Sequence, residues 1–184
     1  PEEPVLAGLV ADLELIADSA QIDELRRVAP ERRVAWLKAF WESRDIESLR
    51  PRGARLYEHY RRLAYARAHY RLRQYPRRYE TFELWRNPSA EIDDRGLIYV
   101  RHGAPDDSAA DAGVGVCPNV TWLYRRPEGN LIFNFSARDD PDDWRLVETL
   151  ANAGGDDGAT NRLRRDTGIT TCPPIEGLFA SRAY

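Results

Sequence analysis

Apolar residues recur at helical spacing through the first third of the chain. Leu6, Leu9, Val10, Leu13 and Ile16 lie three or four positions apart, with Pro4 placed to start a helix over 4–18. Ser19 is positioned to cap a short helix carrying Ile22, Leu25 and Val28. Pro30 suits the first turn of a helix over 30–44, with Val34, Leu37, Phe40 and Trp41 on one side and Arg32, Arg33 and Lys38 on the other. Arg50-Pro51-Arg52-Gly53 interrupts the pattern. Leu56, Tyr60, Leu63, Ala64 and Tyr70 then predict a helix over 54–74, which Pro76 stops. Beyond it the period shortens. The run 96–101 reads as a strand closed by a turn at 102–106, and the small, acidic stretch 107–118 as a loop. Two further strands, 120–124 and 131–135, flank a hairpin turn at 127–130. Trp144, Leu146, Val147 and Leu150 predict a short helix over 142–151, ahead of an irregular tail with one helical turn near 158–165.

Helices first and an antiparallel meander afterwards make an α+β fold: N-terminal helices packed on a small antiparallel sheet of three or four strands, with an irregular C-terminal tail. The expected organisation is a helical arm over 1–29, an α+β domain over 30–151 and the tail over 152–184. No internal repeat is visible.

The chain has 184 residues, 42% hydrophobic and 31% charged, with a formal net charge of -3. That composition excludes a collagen-like or disordered chain. No apolar run approaches the roughly 20 residues that span a bilayer as a helix. Met is absent and position 1 is Pro, which points to a processed or excised chain whose export signal has gone. All basic residues but Lys38 are Arg, spread over the whole length. Positive charge gathers in 44–101 and negative charge in 102–157, a balance that one fold can satisfy internally.

Cys117 and Cys172 are the only cysteines, each next to Pro in a polar segment. They are two buried thiols or one disulfide. Their loop setting favours the disulfide, and with it an oxidising compartment. No cysteine or histidine pattern suits zinc. His59 and His69 fall on different faces of one helix, and a nucleophilic site built from His102, Ser108 and an Asp has no motif behind it. Asp139, Asp140, Asp142 and Asp143 lack the spacing of a calcium loop and suit a helix N-terminus instead. No metal or cofactor is expected. Arg61, Arg62, Arg67, Arg71, Arg73, Arg77 and Arg78 alternate with Tyr residues over 60–79, a mixture able to grip a polyanion by stacking and charge. Overall acidity disfavours nucleic acid.

Several ordered motifs resemble the GWxTD domain, a bacterial domain of uncharacterised function found mostly in exported proteins. Phe40, Trp41, Arg44 and Asp45 form FWxxRD. The run from Asp94 to Asp106, with Arg95, Gly96, Tyr99, Arg101, Gly103 and Pro105, has the form DRGxIYVRxGxPD. Trp122 and the segment 133–135 fall where an xxWxY strand and an FxF strand follow. The resemblance covers about residues 30–136. At 90–94, where the family's naming motif belongs, only the final Asp94 is kept. The resemblance implies an α+β fold and an extracytoplasmic address, and supplies no chemistry.

Each motif also has a plain structural reading. Phe40 and Trp41 plug a core, Arg44 clamps a carboxylate or a helix end, and Gly103 to Asp106 make a turn. With no catalytic constellation visible and Arg and aromatic residues abundant, the expected function is a non-enzymatic exported binding or scaffold domain in a larger assembly, with other protein subunits as partners. The alternatives are an enzyme using the Gly103–Asp107 loop with Arg44 and Asp45, and an Arg/Tyr polyanion binder.

Overall fold

In α1 (Glu3–Leu13), α2 (Ser19–Arg27) and α3 (Arg33–Glu47) the predicted apolar stripes meet. Leu6, Val10, Leu13, Ile22, Leu25, Phe40 and Trp41 form one buried cluster, with Ile16, Ala17, Trp36 and Leu37 against it. The structure is a computed structural model that describes residues 3–73, 76–77, 79, 86–111, 118–137 and 142–147. The pair Cys117 and Cys172, the acidic residues Asp139 and Asp140, Arg78 and the tail over 152–184 lie outside them. The chain divides into two compact units. One comprises Pro1–Arg71, Arg86–Ile92 and Gly96–Gly103; the other comprises Leu72–Trp85, Asp93–Arg95 and Ala104–Tyr184.

The first unit is helical. Asp18, not Ser19, caps α2: its carboxylate accepts from the Gln21 amide at 2.8 Å while Gln21 returns a bond to the Asp18 amide, a reciprocal capping box that a hydroxyl one residue later does not form. A 3-10 turn at Pro30–Arg32 leads into α3. Then α4 (Ala54–His69) stops before the predicted 74. Arg71 pairs instead with Ile92 in an isolated antiparallel bridge, which takes the backbone out of the helix. The face that α4 buries is His59, Leu63 and Ala66.

Residues Asp94–His102 form a helix, α5, where a strand was expected. Leu97, Ile98, Tyr99 and Val100 are all buried. A short run covered on every side has neither a two-residue nor a 3.6-residue period to display, so pattern alone does not separate the two. The ends of the segment do: Asp94 opens it and Arg101 and His102 close it, matching the helix dipole. Gly96 allows tight packing, since a Cβ there would stand 2.8 Å from the Ile92 Cβ. Gly103, at φ +86°, terminates α5 in the left-handed conformation, its amide bonded to the Tyr99 carbonyl at 2.8 Å.

The second unit holds an antiparallel meander in the order β1-β2-β3-β4: β1 (Asp107–Asp111), β2 (Asn119–Tyr124), β3 (Leu131–Ser136) and β4 (Arg145–Val147). With the helices this makes the fold α+β. Trp122 lies diagonally against Phe135, ring centres 4.9 Å apart, and Tyr124 against Phe133 at 5.8 Å. Directly opposite each other, Thr121 donates to the Asn134 amide oxygen at 2.9 Å.

Two elements here depart from expectation. β1 occupies part of the predicted loop: Ser108, Ala109 and Ala110 have little strand preference, and pairing with β2 holds them. β4 replaces the first part of the predicted helix 142–151. Leu146 pairs with Phe135, and its amide donates to the Asp94 carboxylate at 2.7 Å. Those bonds exist only once the sheet is assembled, so local spacing does not announce them.

Candidate anion-binding site

FWxxRD is read first at its acid. Asp45 is buried, and its two oxygens accept from the amides of Gly53 at 2.6 Å and Arg55 at 2.7 Å. These are donors at the start of α4 that the helix itself leaves open, so Asp45 caps α4 from the preceding helix. Asp45→Ala leaves both donors without that acceptor, and an expected loss of about 2 kcal/mol would show in urea denaturation. Phe40 and Trp41 are core, as the motif's plain reading has it.

Arg44 turns the other way. Its guanidinium covers the Phe40 ring at 3.7 Å and donates to the Gln21 side-chain oxygen at 3.2 Å. It borders a cavity of about 180 Å³ in the helical unit, lined by Ile16, Trp41, Arg44 and Val100 and by Arg55, Glu58, His59, Arg62 and Arg101. Arg55, Glu58, His59 and Arg62 recur at helical spacing on one face of α4. Only His59 and Arg62 stood out in the sequence, and each for another reason. That spacing was the available signal.

Two of the lining arginines are anchored to backbone carbonyls. Arg62 is bound to Glu58 at 2.6 Å and donates to the carbonyl of Arg101 at 3.1 Å, at the end of α5. Gly103 leaves room for that guanidinium: a Cβ there would fall 3.0 Å from it. Arg101 donates to the Leu15 carbonyl at 2.7 Å. Among the described residues Glu58 is the one carboxylate in the lining, and it is shared by Arg61 and Arg62. Hydrogen bonds from Arg61 come first among the influences that hold its pKa down at about 2, with Arg62 adding to them.

His59 is buried beside Trp41, ring centres 5.3 Å apart, and neither ring nitrogen has a hydrogen-bond partner among the described residues. Burial, and then the positive charge of Arg67, Arg44, Arg62 and Arg55, push its pKa down to about 4. The ring is therefore neutral at pH 7, with one N–H to donate and one lone pair to offer. Burial also lowers the pKa of Arg44 and of Arg101 from the usual value.

The remaining motif residues hold structure together. Asp94 lies buried against the Arg77 guanidinium and Arg95 stacks on Trp144 at 4.0 Å while pairing with Asp93 at 2.6 Å, all in the second unit. Tyr99 stacks on Tyr65, ring centres 4.5 Å apart. Asp106, which follows Pro105, is bound along its own sheet: its amide donates to the Leu123 carbonyl at 2.9 Å, and its carboxylate accepts from the Arg125 amide at 2.6 Å. Trp122 is core. Among the described residues, no group of three or more His, Cys, Asp or Glu is arranged to hold a metal ion, and no helix is long and apolar enough to cross a membrane.

Comparison with known proteins finds no protein-family model that matches the chain, and no similar curated protein or solved structure.

Proposed function

We propose that this chain is a non-enzymatic binding domain, a subunit of a larger extracytoplasmic assembly. One observation carries the reading. At the end of α3 the amide of Leu49 bonds to the Ile46 carbonyl and that of Arg50 to the Asp45 carbonyl. Those two bonds define a helix stop whose left-handed position normally takes glycine. Here it takes Leu49, at φ 51° and 94% exposed, beside Ile46 at 73%. A branched side chain in that conformation costs about 1–2 kcal/mol. It packs on nothing that would offset the cost, so an apolar pair held out to solvent reads as a contact for another protein.

The ordered motifs that resemble exported GWxTD domains support the address. An enzyme built on Asp45 and Asp106 is the weaker reading, because both carboxylates already hold backbone amides. A polyanion-binding Arg/Tyr segment is weaker too. Arg61 is paired with Glu58, Arg67 with Asp12 and Glu91, and Arg73 with Asp142.

Leu49→Gly separates stability from association. Relief of the backbone strain is expected to raise the unfolding free energy by about 1 kcal/mol. The same change should cut partner capture by a photo-crosslinker at exposed Arg50, measured in the native envelope, by about fivefold or more. A crosslinker at exposed Arg26 serves as control. Equal, diffuse adducts from both positions, or no adduct at all, would sink the reading.

A further inference from the structure

We infer that the arginine-lined cavity of the helical unit binds a small, doubly charged oxyanion: a phosphate group or a short dicarboxylate. This extends the reading of the chain as a binding domain by naming a ligand class that the exposed Ile46 and Leu49 do not address.

The argument begins with charge. Arg44, Arg55, Arg62 and Arg101 border one cavity of about 180 Å³ in a chain whose net charge is -3. The single carboxylate among them, Glu58, is held by Arg61 and Arg62. Among the described residues Arg44 makes no ion pair: it donates to a neutral amide oxygen and covers an aromatic face, and Glu47 and Asp18 act on it through charge alone. The Arg55 side chain makes no ion pair with any described residue. Partly buried cations of one sign repel each other, and an internal carboxylate would ordinarily answer them. An external oxyanion does the same, and planar guanidinium groups suit it because each can present two parallel N–H donors.

The second observation is independent of the arginines. His59 lines the same cavity, is 4% exposed and has two ring nitrogens without a hydrogen-bond partner among the described residues. A buried polar group left in that state costs about 1–3 kcal/mol. A neutral imidazole needs an acceptor for its N–H and a donor for its lone pair. A monohydrogen phosphate offers both, and a dicarboxylate offers the acceptor.

Size narrows the class. The cavity has the volume of roughly six water molecules, at about 30 Å³ each. That admits phosphate or a dicarboxylate of a few carbons and excludes a whole nucleotide or an oligosaccharide. The cavity is also rigidly framed, with Arg62 and Arg101 each anchored to a backbone carbonyl, so little ordering remains to be done on binding.

The test is calorimetric titration of the whole chain with inorganic phosphate and, separately, with succinate, in chloride buffer. Parallel NMR follows the His59 ring. The expected result is saturable binding of one anion per chain in the micromolar to low-millimolar range, about -8 to -4 kcal/mol on the standard scale. The His59 titration midpoint should rise with the anion present. Binding of phosphate alone supports a phosphate-group ligand, binding of succinate alone a carboxylate ligand, and binding of both the shared chemistry. The double variant Arg44→Gln with Arg55→Gln, both on partly exposed side chains, should keep the circular dichroism spectrum and weaken binding about tenfold or more. No binding of either anion up to about ten millimolar, with the His59 signals unmoved, overturns the inference. Binding that ignores the double variant overturns it as well, by locating the anion elsewhere. Neither outcome touches the crosslinking test at Arg50, so the two proposals fail separately.

Discussion

Replacing Arg77 with methionine is expected to lower the unfolding free energy by about 3–5 kcal/mol, the cost of leaving buried carboxylates without their cation. In the second unit Arg77 is buried to 4% side-chain exposure, against Asp94 at 3% and Asp143 at 12%. Its guanidinium also donates to the Trp144 carbonyl at 2.7 Å. Burial alone would lower the arginine's pKa. The two carboxylates outweigh that and raise it above its usual value, so the cation persists at any working pH. Asp94 uses its second oxygen to accept from the Leu146 amide at 2.7 Å, while its own amide donates to the Trp144 carbonyl. The ion cluster therefore fastens β4 as well as neutralising itself. Asp94→Asn keeps an acceptor for Leu146 and removes only charge, so its loss should be smaller than that of Arg77→Met. Urea denaturation followed by tryptophan fluorescence measures both, since Trp122 and Trp144 lie in this unit. A loss below about 1 kcal/mol for Arg77→Met would show that solvent takes over the carboxylates' solvation.

The second large effect is a loss of stability on mild acidification, carried by His59. Its ordinary pKa of 6.5 falls to about 4 in the fold. The unfolded chain thus takes up a proton over a range in which the native ring does not. Linkage then fixes the sign: this contribution is fully present above pH 6.5 and is lost as pH falls from 6.5 towards 4. At about 1.4 kcal/mol for each tenfold change, the whole window amounts to about 3 kcal/mol. The groups facing the ring all oppose its protonation except one. Arg44 on α3, Arg55, Arg62 and Arg67 on α4 and Arg101 on α5 are cationic, while Glu58 is held by its own arginines. His59→Phe keeps an aromatic ring against Trp41 and should flatten the stability profile between pH 7 and pH 4.5. Glu58 contributes in a lower window, from its usual 4.5 down to about 2, so the two can be separated by pH. A His59→Phe profile as steep as that of the parent chain would place the acid sensitivity in other groups.

The places where reading along the chain succeeded share one property: the signal is local. Leu6, Val10 and Leu13 fall on one side of a helix because 3.6 residues make a turn, and they are buried together. Val120 to Tyr124 and Leu131 to Phe135 are separated by a glycine-containing turn, and they pair in register across it. Gly103 was legible as a site of unusual backbone, although the element it ends is a helix and not a strand.

Where the reading failed, the deciding contact lay far away in sequence. Leu97 to Val100 read as a strand because burial on every side left the segment no period to display. Residues Arg145–Val147 became a strand because β3 and the Asp94 carboxylate supplied partners for the backbone. The function of Asp45 required the first turn of α4 to arrive beside it.

Helix period, strand alternation and turn chemistry settle which segments of this chain are ordered and, for most of them, in what form, because each is a property of a few consecutive residues. Which polar groups meet is settled by folding alone. Arg44 comes from one helix, Arg55 and His59 from the next and Arg101 from a third. The energy of bringing four guanidinium groups around one imidazole depends on distance and burial in three dimensions, and no spacing along the chain encodes it.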